Sequence, residues 1–420
     1  MVQRTPKGFR LHISLFGRRN AGKSSLLNAI TRQQVSIVSE FAGTTTDPVE
    51  KPMEFLPLGP VLFIDTAGID DVGALGEMRV KRTFRVFDRS DLGVLVTDAG
   101  HWGEYEEQIL AEFYRRGIPA VVVFNKDDLG QPDPSLLSDL DAKQVRFVRT
   151  VASQGQGVLD FRQALLDSAP DEFIDSRTIA ADLVGAGELA LLVVPIDKEA
   201  PKGRLILPQV QTIRDLLDAR SCCMVVKESE LAAALDRLKR PPRLVVTDSQ
   251  AFQEVARITP RDVPLTSFSI LFARFKGDLP TQVRGTLAIE RLVPGDRILI
   301  AEACSHHPIE DDIGREKIPR WLTRYVGGEL HFDVVAGHDY PDDISPYDLV
   351  VHCGACVFNR RAMLSRLMLC RAQGVPITNY GLTIAYSLGI FERALEPFPS
   401  VLEIYRQGSA DHSTDRKMKG

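Results

Sequence analysis

The sequence has no stretch of about 18 consecutive apolar residues, the least that can cross a bilayer as a helix. Even the apolar region before Pro195 is broken by Asp182 and Glu188. It also lacks the apolar core of a secretion signal, since the polar, basic segment Met1 to Arg10 leads only into the short run Leu11 to Phe16. A cytoplasmic protein without a membrane partner is expected. Basic residues are not in excess: 51 Lys and Arg face 56 Asp and Glu, a net charge of −5. That balance weighs against nucleic acid as a partner, although it does not exclude a local basic face. No internal repeat of fixed period and no low-complexity run is present. Cysteine is scarce at six residues, which without a secretion signal argues for thiols or metal ligands and against a disulfide framework.

The 420 residues, 44% hydrophobic and 25% charged, form an ordinary globular mix, and at roughly 150 residues per domain they predict about three domains. From Leu11 to about Ala169, apolar runs (Leu11–Phe16, Val61–Ile64, Leu92–Thr97, Ala120–Phe124, Gln144–Arg149) alternate with helical patterns over Lys23–Thr31 and Glu104–Arg116, which predicts a parallel α/β sheet. The polar stretch Pro170 to Ala181 reads as a linker. A second alternating block runs from Leu189 to Phe268, and a third from about Phe275, with strands expected over Arg297–Ala303, Glu329–Val334, Leu349–His352 and Val375–Asn379. The tail from Gln407 is expected to fray.

Gly17-Arg18-Arg19-Asn20-Ala21-Gly22-Lys23-Ser24 satisfies G-x-x-x-x-G-K-[ST] between a predicted strand and a predicted helix. The glycines let backbone N–H groups of the loop, through Ala21 and on to Ser25, close around phosphate oxygens. The helix start adds partial positive charge, Lys23 reaches the β and γ phosphates, and Ser24 holds magnesium. Asp65-Thr66-Ala67-Gly68 follows the next strand, with Asp65 suited to contact magnesium through water and Gly68 to meet the γ-phosphate. Asn125-Lys126-Asp127 follows the strand Ala120–Phe124. A carboxylate can accept from both N1–H and the exocyclic amine of guanine, whereas adenine would leave Asp127 unpaired. The substrate is therefore GTP, with GDP as product.

These residues resemble the translation-factor-like P-loop GTPases, most of all the tRNA-modification and ribosome-assembly type. The resemblance implies that Gly43-Thr44-Thr45-Thr46-Asp47 is a switch segment, with Thr45 as magnesium ligand and Thr44 as the alternative. It also implies that Val151-Ala152-Ser153 is the last guanine loop, contacting the base through Ala152. Ile69 stands where Ras-like proteins carry the glutamine that orients water, so intrinsic hydrolysis is expected near the roughly 10⁻⁴ to 10⁻² per second of unassisted GTPases. Asn20 matches the position that coordinates K⁺ in potassium-dependent relatives. Lys23, Asn20 and Thr45 are thus the expected catalytic residues of a K⁺-stimulated GTPase.

Five further residues group by spacing. Cys304-Ser305-His306 follows one predicted strand and His352-Cys353-Gly354-Ala355-Cys356 ends another, giving C-x-H…H-C-x-x-C. The carboxyl ends of parallel strands converge on one crevice, so Cys304, His306, His352, Cys353 and Cys356 are expected to share a metal site. Ligand chemistry alone leaves tetrahedral zinc, an iron–sulfur cluster and plain packing of the thiols open. A GTPase domain, a small α/β domain and a final domain with this motif together resemble HydF, the family of GTPase scaffolds that mature FeFe-hydrogenase.

The fold expected from the resemblance is α/β throughout: a P-loop GTPase domain (8–170), a small α/β dimerisation domain (181–268) and a C-terminal α/β metal-cluster-binding domain (272–406). The resemblance further implies that Cys304, Cys353 and Cys356 ligate a 4Fe-4S cluster with one exchangeable iron position, His306 and His352 being further candidates. A di-iron precursor is the implied cargo. Radical-enzyme maturases and FeFe-hydrogenase are the implied partners, and the chain is expected to form a homodimer or a higher oligomer. The alternative is a tRNA-modification or ribosome-assembly GTPase with a structural zinc site. Cys222 and Cys223 are expected to pack as small hydrophobes on an apolar strand, and Cys370 to lie in a helix core. His307, His331 and His338 fall outside any ligand spacing.

Overall fold

The structure, a computed structural model, describes residues 5–32, 48–56, 58–66, 85–170, 177–195, 205–303, 312–337 and 339–418. The chain divides at Arg177 into two compact units. In the first, strands β1 (Leu11–Phe16), β2 (Val49–Phe55), β3 (Gly59–Asp65), β4 (Leu92–Asp98), β5 (Ala120–Asn125) and β6 (Arg146–Thr150) form one sheet in the order β2-β3-β1-β4-β5-β6. Helices α1 (Lys23–Arg32), α2 (Glu104–Arg115), α3 (Pro134–Ala142) and α4 (Val158–Ser168) accompany it. The central strands β1 and β4 are buried along nearly their whole length and largely apolar, because both faces of the sheet are covered. Ile13, Leu15, Val94 and Val96 join Leu26 and Phe161 in one cluster, while Phe16, Leu95 and Phe124 join Phe113 in another.

The expectation of a purely parallel sheet needs one correction. β2 pairs antiparallel with β3, from Val49 opposite Asp65 to Phe55 opposite Gly59. The strand reads poorly in sequence because it is an edge with mostly half-buried residues and a proline, Pro52. Such a composition is tolerated only where one side of the ladder is unpaired.

In the second unit, β7 (Leu189–Val193), β8 (Cys222–Val226), β9 (Leu244–Thr247) and β10 (Leu265–Ser267) make a parallel sheet in the order β10-β9-β7-β8. Helices α5 (Ala181–Val184), α6 (Leu207–Asp218), α7 (Leu231–Asp236) and α8 (Phe252–Ile258) belong with it. A further parallel sheet follows, in the order β12-β11-β13-β14, from β11 (Arg297–Ala301), β12 (His331–Val335), β13 (Leu349–His352) and β14 (Ile377–Asn379). Between the two sheets in sequence lie α9 (Phe268–Lys276) and α10 (Leu279–Thr286). α11 (Ile318–Val326), α12 (Arg360–Ala372), α13 (Tyr380–Ser387), α14 (Phe391–Leu395) and α15 (Pro399–Met418) complete the unit. α9 is apolar nearly all round because it packs against α6, α12 and α13 together.

Two further expectations change here. The tail from Gln407 continues α15 as helix through Met418 instead of fraying. Cys222 is exposed and Cys223 only half-buried, because β8 is an edge strand. α11 is preceded by a π-helical turn over Ile313–Lys317. Cys370 is buried, as expected, beside the Tyr340 hydroxyl at 3.3 Å.

α10 approaches β14 so closely that a Cβ at Gly285 would lie 2.0 Å from the Ile377 carbonyl oxygen. Gly285→Ala should therefore push helix from strand and destabilise this unit by about 1–3 kcal/mol. An unchanged unfolding midpoint in urea would show that the contact is not limiting.

Candidate nucleotide and metal sites

The first site grows from the end of β1, the central strand of its sheet. Gly17 adopts φ +149°, and a side chain there would strike the Val96 carbonyl oxygen at 2.1 Å. A Cβ at Gly22, which has φ +92°, would fall equally close to the Asn125 amide nitrogen. Asn20 also takes a left-handed conformation, φ 63°, which asparagine tolerates better than most residues. The loop thus turns tightly enough for α1 to begin at Lys23. The Lys23 side chain folds back along the loop, its ammonium donating to the carbonyls of Gly17 at 2.7 Å and Arg18 at 2.8 Å. Ser24 and Ser25 are exposed at the start of α1.

Ser24 donates its hydroxyl proton to Asp65 Oδ2 at 2.6 Å, while Oδ1 of the same carboxylate is buried without a hydrogen-bond partner. An orphaned carboxylate oxygen beside a hydroxyl is a hard oxygen donor set, and it fits magnesium. Thr44, Thr45, Gly68 and Ile69 lie outside the described residues.

Asn125 joins the loops. Its amide donates to the Ala21 carbonyl at 2.9 Å, and its Oδ1 accepts from the Thr150 hydroxyl and the Ala152 N–H, both at 3.1 Å. One buried side chain therefore fixes the phosphate loop against the loops that follow β5 and β6. Lys126, in a left-handed conformation, reaches Asp98 at 3.0 Å. Asp127 Oδ1 is buried without a hydrogen bond, with Arg149 Nε 3.9 Å away, so it retains the acceptor capacity that a guanine edge would satisfy.

A residue that sequence spacing did not single out also belongs here. Glu106 is fully buried on α2, takes both Nε and Nη2 of Arg18 at 2.8 and 3.1 Å, and accepts from the Gly103 N–H at 3.0 Å. Through Arg18 it braces the segment whose carbonyl holds Lys23.

The second site lies at the carboxyl ends of β11 and β13, which are adjacent and parallel with Ala301 opposite His352. Cys353 donates its N–H to the Ala301 carbonyl at 2.9 Å, and its Sγ accepts from the Ala303 N–H at 3.1 Å and the Ala355 N–H at 3.5 Å. Ala355 sits at φ 52°, and Cys353 and Cys356 are both half-buried. A sulfur receiving N–H donors in a partly buried loop is suited to a thiolate ligand. The donor chemistry therefore fits an iron–sulfur cluster or another soft metal group. Cys304, His306 and His307 lie outside the described residues, and among the described residues no three His, Cys, Asp or Glu side chains are grouped to hold a metal ion.

His352 is fully buried, and both of its ring nitrogens are engaged. Arg366 can only donate, so Nε2 accepts from its Nη1 at 2.7 Å, and Nδ1 carries the proton it donates to the Cys353 carbonyl at 2.8 Å. Burial first, and then the Arg366 charge, hold the His352 pKa down at about 3. Below its ordinary value of 6.5 the unfolded chain takes up a proton that the folded imidazole refuses until about pH 3. Stability from this group is thus complete above about pH 6.5 and is lost as pH falls, by up to about 1.4 kcal/mol per pH unit. Hydrogen exchange of the β13 amides should quicken between pH 7 and pH 5 beyond the intrinsic pH effect, and His352→Gln should remove that excess.

Three family models match successive parts of the chain: a 50S ribosome-binding GTPase over residues 12–126, the hydrogen maturase F dimerization domain over 179–277 and the hydrogen maturase F tetramerization domain over 280–397. The tRNA modification GTPase MnmE of Paraburkholderia xenovorans is 36% identical over 160 residues, 37% of this chain and 34% of that protein. The GTPase Der of Kosmotoga olearia is 32% identical over 188 residues, 41% of this chain and 39% of its own length. The chain thus spans little more than a third of these relatives. Among solved structures, the G domain of the T. maritima FeoB iron transporter matches 38% of this chain and 98% of its own, at 19% identity and a TM-score of 0.29. No helix among the described residues is long and apolar enough to cross a membrane. The GTPase match is common ground with proteins of other functions, whereas the two domains that follow it are both those of hydrogen maturase F, and the chain belongs to the HydF-type hydrogenase maturation GTPases.

Proposed function

We propose that this chain is a GTP-driven scaffold whose C-terminal sheet carries an iron–sulfur cluster and helps assemble the di-iron subcluster and deliver it to FeFe-hydrogenase. The observation that carries the reading is the junction of β11 and β13, where the half-buried Cys353 takes an N–H from Ala303, the residue before Cys304. Cys304, Cys353 and Cys356 would supply the three thiolates. Held by three protein ligands, a 4Fe-4S cluster supplies an iron with an exchangeable position at which a second iron unit can be bound or released. The two engaged ring nitrogens of His352 favour a role in orienting the loop.

Cys353→Ala should abolish the visible absorbance of the anaerobically reconstituted protein and leave GTP hydrolysis within about two-fold, as expected for a ligand that belongs to a different unit of the chain from the phosphate loop. Full iron and sulfide content in that variant would overturn the ligand assignment.

In the GTPase unit, Lys23 would follow the phosphates, Ser24 and Asp65 would hold magnesium, and Asn125, Asp127 and Ala152 would define the guanine pocket. Asn20 offers a neutral amide oxygen at the loop crest, a hard donor suited to a monovalent cation. With Ile69 in place of a water-orienting glutamine, that cation would supply the missing positive charge. GTP turnover should be at least several-fold faster in KCl than in matched NaCl, and Asn20→Ala should lose the difference. Equal rates in both salts would exclude K⁺ stimulation.

The middle sheet supports homodimerisation. β8 is an edge strand of Cys222, Cys223, Met224, Val225 and Val226, with Val225 42% exposed. An apolar, unpaired edge is a natural pairing surface for a second copy. The radical-enzyme maturases and the hydrogenase are the proposed partners of the assembled scaffold.

A further inference from the structure

Two cations are buried behind the loop that carries Cys353 and Cys356. Lys276, the last residue of α9, is 2% exposed and donates its ammonium proton to the Phe358 carbonyl at 2.8 Å. Arg366, in the second turn of α12, is 6% exposed. Its Nη1 donates to His352 at 2.7 Å and its Nη2 to the Gly337 carbonyl. Its guanidinium lies between the rings of Tyr340 and Phe358, with centroids at 4.5 and 4.6 Å.

The two contacts bracket the cysteines. Arg366 reaches the residue immediately before Cys353, and Lys276 reaches the second residue after Cys356. The stems come from different helices on either side of a long stretch of chain, so the convergence is a property of the fold and not of one local turn. Burying an ammonium and a guanidinium costs several kcal/mol each in lost hydration. Salt and water screen them little at this depth. Negative charge placed on the loop would therefore be stabilised, and each added electron more so.

We propose that Lys276 and Arg366 form a cationic cradle that retains an anionic, thiolate-bound iron–sulfur group on the Cys353–Cys356 loop and raises its reduction potential. The inference rests on the proposed cluster reading and deepens it. Both are positioning residues, acting through the loop backbone and His352. The net charge around a cluster and the hydrogen bonds to its sulfurs are the levers that set its potential. Here the charges come from the two buried cations, and the bonds from the N–H groups of Ala303 and Ala355.

The test uses the full-length chain, reconstituted anaerobically with iron and sulfide, in wild-type form and as Lys276→Met, Arg366→Gln and Arg366→Lys. Thermal unfolding of the unloaded variants checks their fold. Redox titration followed by electron paramagnetic resonance gives the midpoint potential, and a competing chelator gives iron retention. Lys276→Met keeps the stem and removes the charge, and Arg366→Gln removes the other charge. Each should shift the midpoint to a more negative value and lose iron about 10-fold more readily. Arg366→Lys keeps the charge, loses the fork and should stay near the wild-type potential. Unmoved potentials in both charge-removing variants overturn the cradle, as does an Arg366→Lys shift as large as that of Arg366→Gln. A wild-type chain that takes up no iron and sulfide overturns the cluster reading, and the cradle with it.

Discussion

In a parallel sheet every strand delivers its carboxyl end to the same edge, and the loops that leave adjacent strands must meet there. The loop after β1 can be the phosphate loop because β1 is central, with β3 and β4 on its two sides. The Asp65 carboxylate at the end of β3 consequently falls within 2.6 Å of Ser24. Residues after β5 and β6 are brought together by the same rule, and Asn125 closes the set. The C-terminal sheet repeats the logic at smaller scale: the pairing of β11 with β13 sets Ala301 opposite His352 and brings the Ala303 N–H to the Cys353 sulfur.

A loop that meets a ligand with its backbone must be held by something other than that ligand. In the GTPase unit the holding is done by buried side chains from outside the loop, Asn125 on the Ala21 carbonyl and Glu106 on Arg18. Around the cysteines, Lys276 and Arg366 have the same relation to the loop they brace. The cost of burying such groups falls on folding, while the loops need little further ordering when they bind. That is the physical content of preorganisation: entropy spent in the folded state is not spent again at the site.

Much of this is legible in the sequence itself. A phosphate, a magnesium ion and a guanine edge have fixed dimensions, so the residues proposed to meet them sit at fixed offsets from strand ends, as Gly17 to Ser24, Asp65 and Asn125 to Asp127 do. The strands of β1, β4, β5 and β13 read clearly because burial on both faces favours largely apolar runs. β2 did not, since an edge strand with Pro52 and alternating charges looks like a loop. The exposure of Cys222 was hidden for the opposite reason: an apolar strand reads as buried, and only the strand order puts β8 at an edge.

The bracing residues were illegible for a deeper reason. Glu106 is one acidic residue in a helix start that also carries Glu104 and Glu107, and only the fold shows that it is the buried one that meets Arg18. Arg366 and Lys276 each end an apolar stem in a charge, a kind of side chain that ordinarily reaches for solvent. Their burial is decided by how α9 and α12 pack against the sheet and each other, a matter of long-range geometry. Spacing rules see groups that touch a ligand, because the ligand supplies the ruler. Groups that touch only the loop have no such ruler, and their partners lie wherever the chain happens to return. Positioning residues of this kind become visible only when a buried charge is asked which backbone atom it holds.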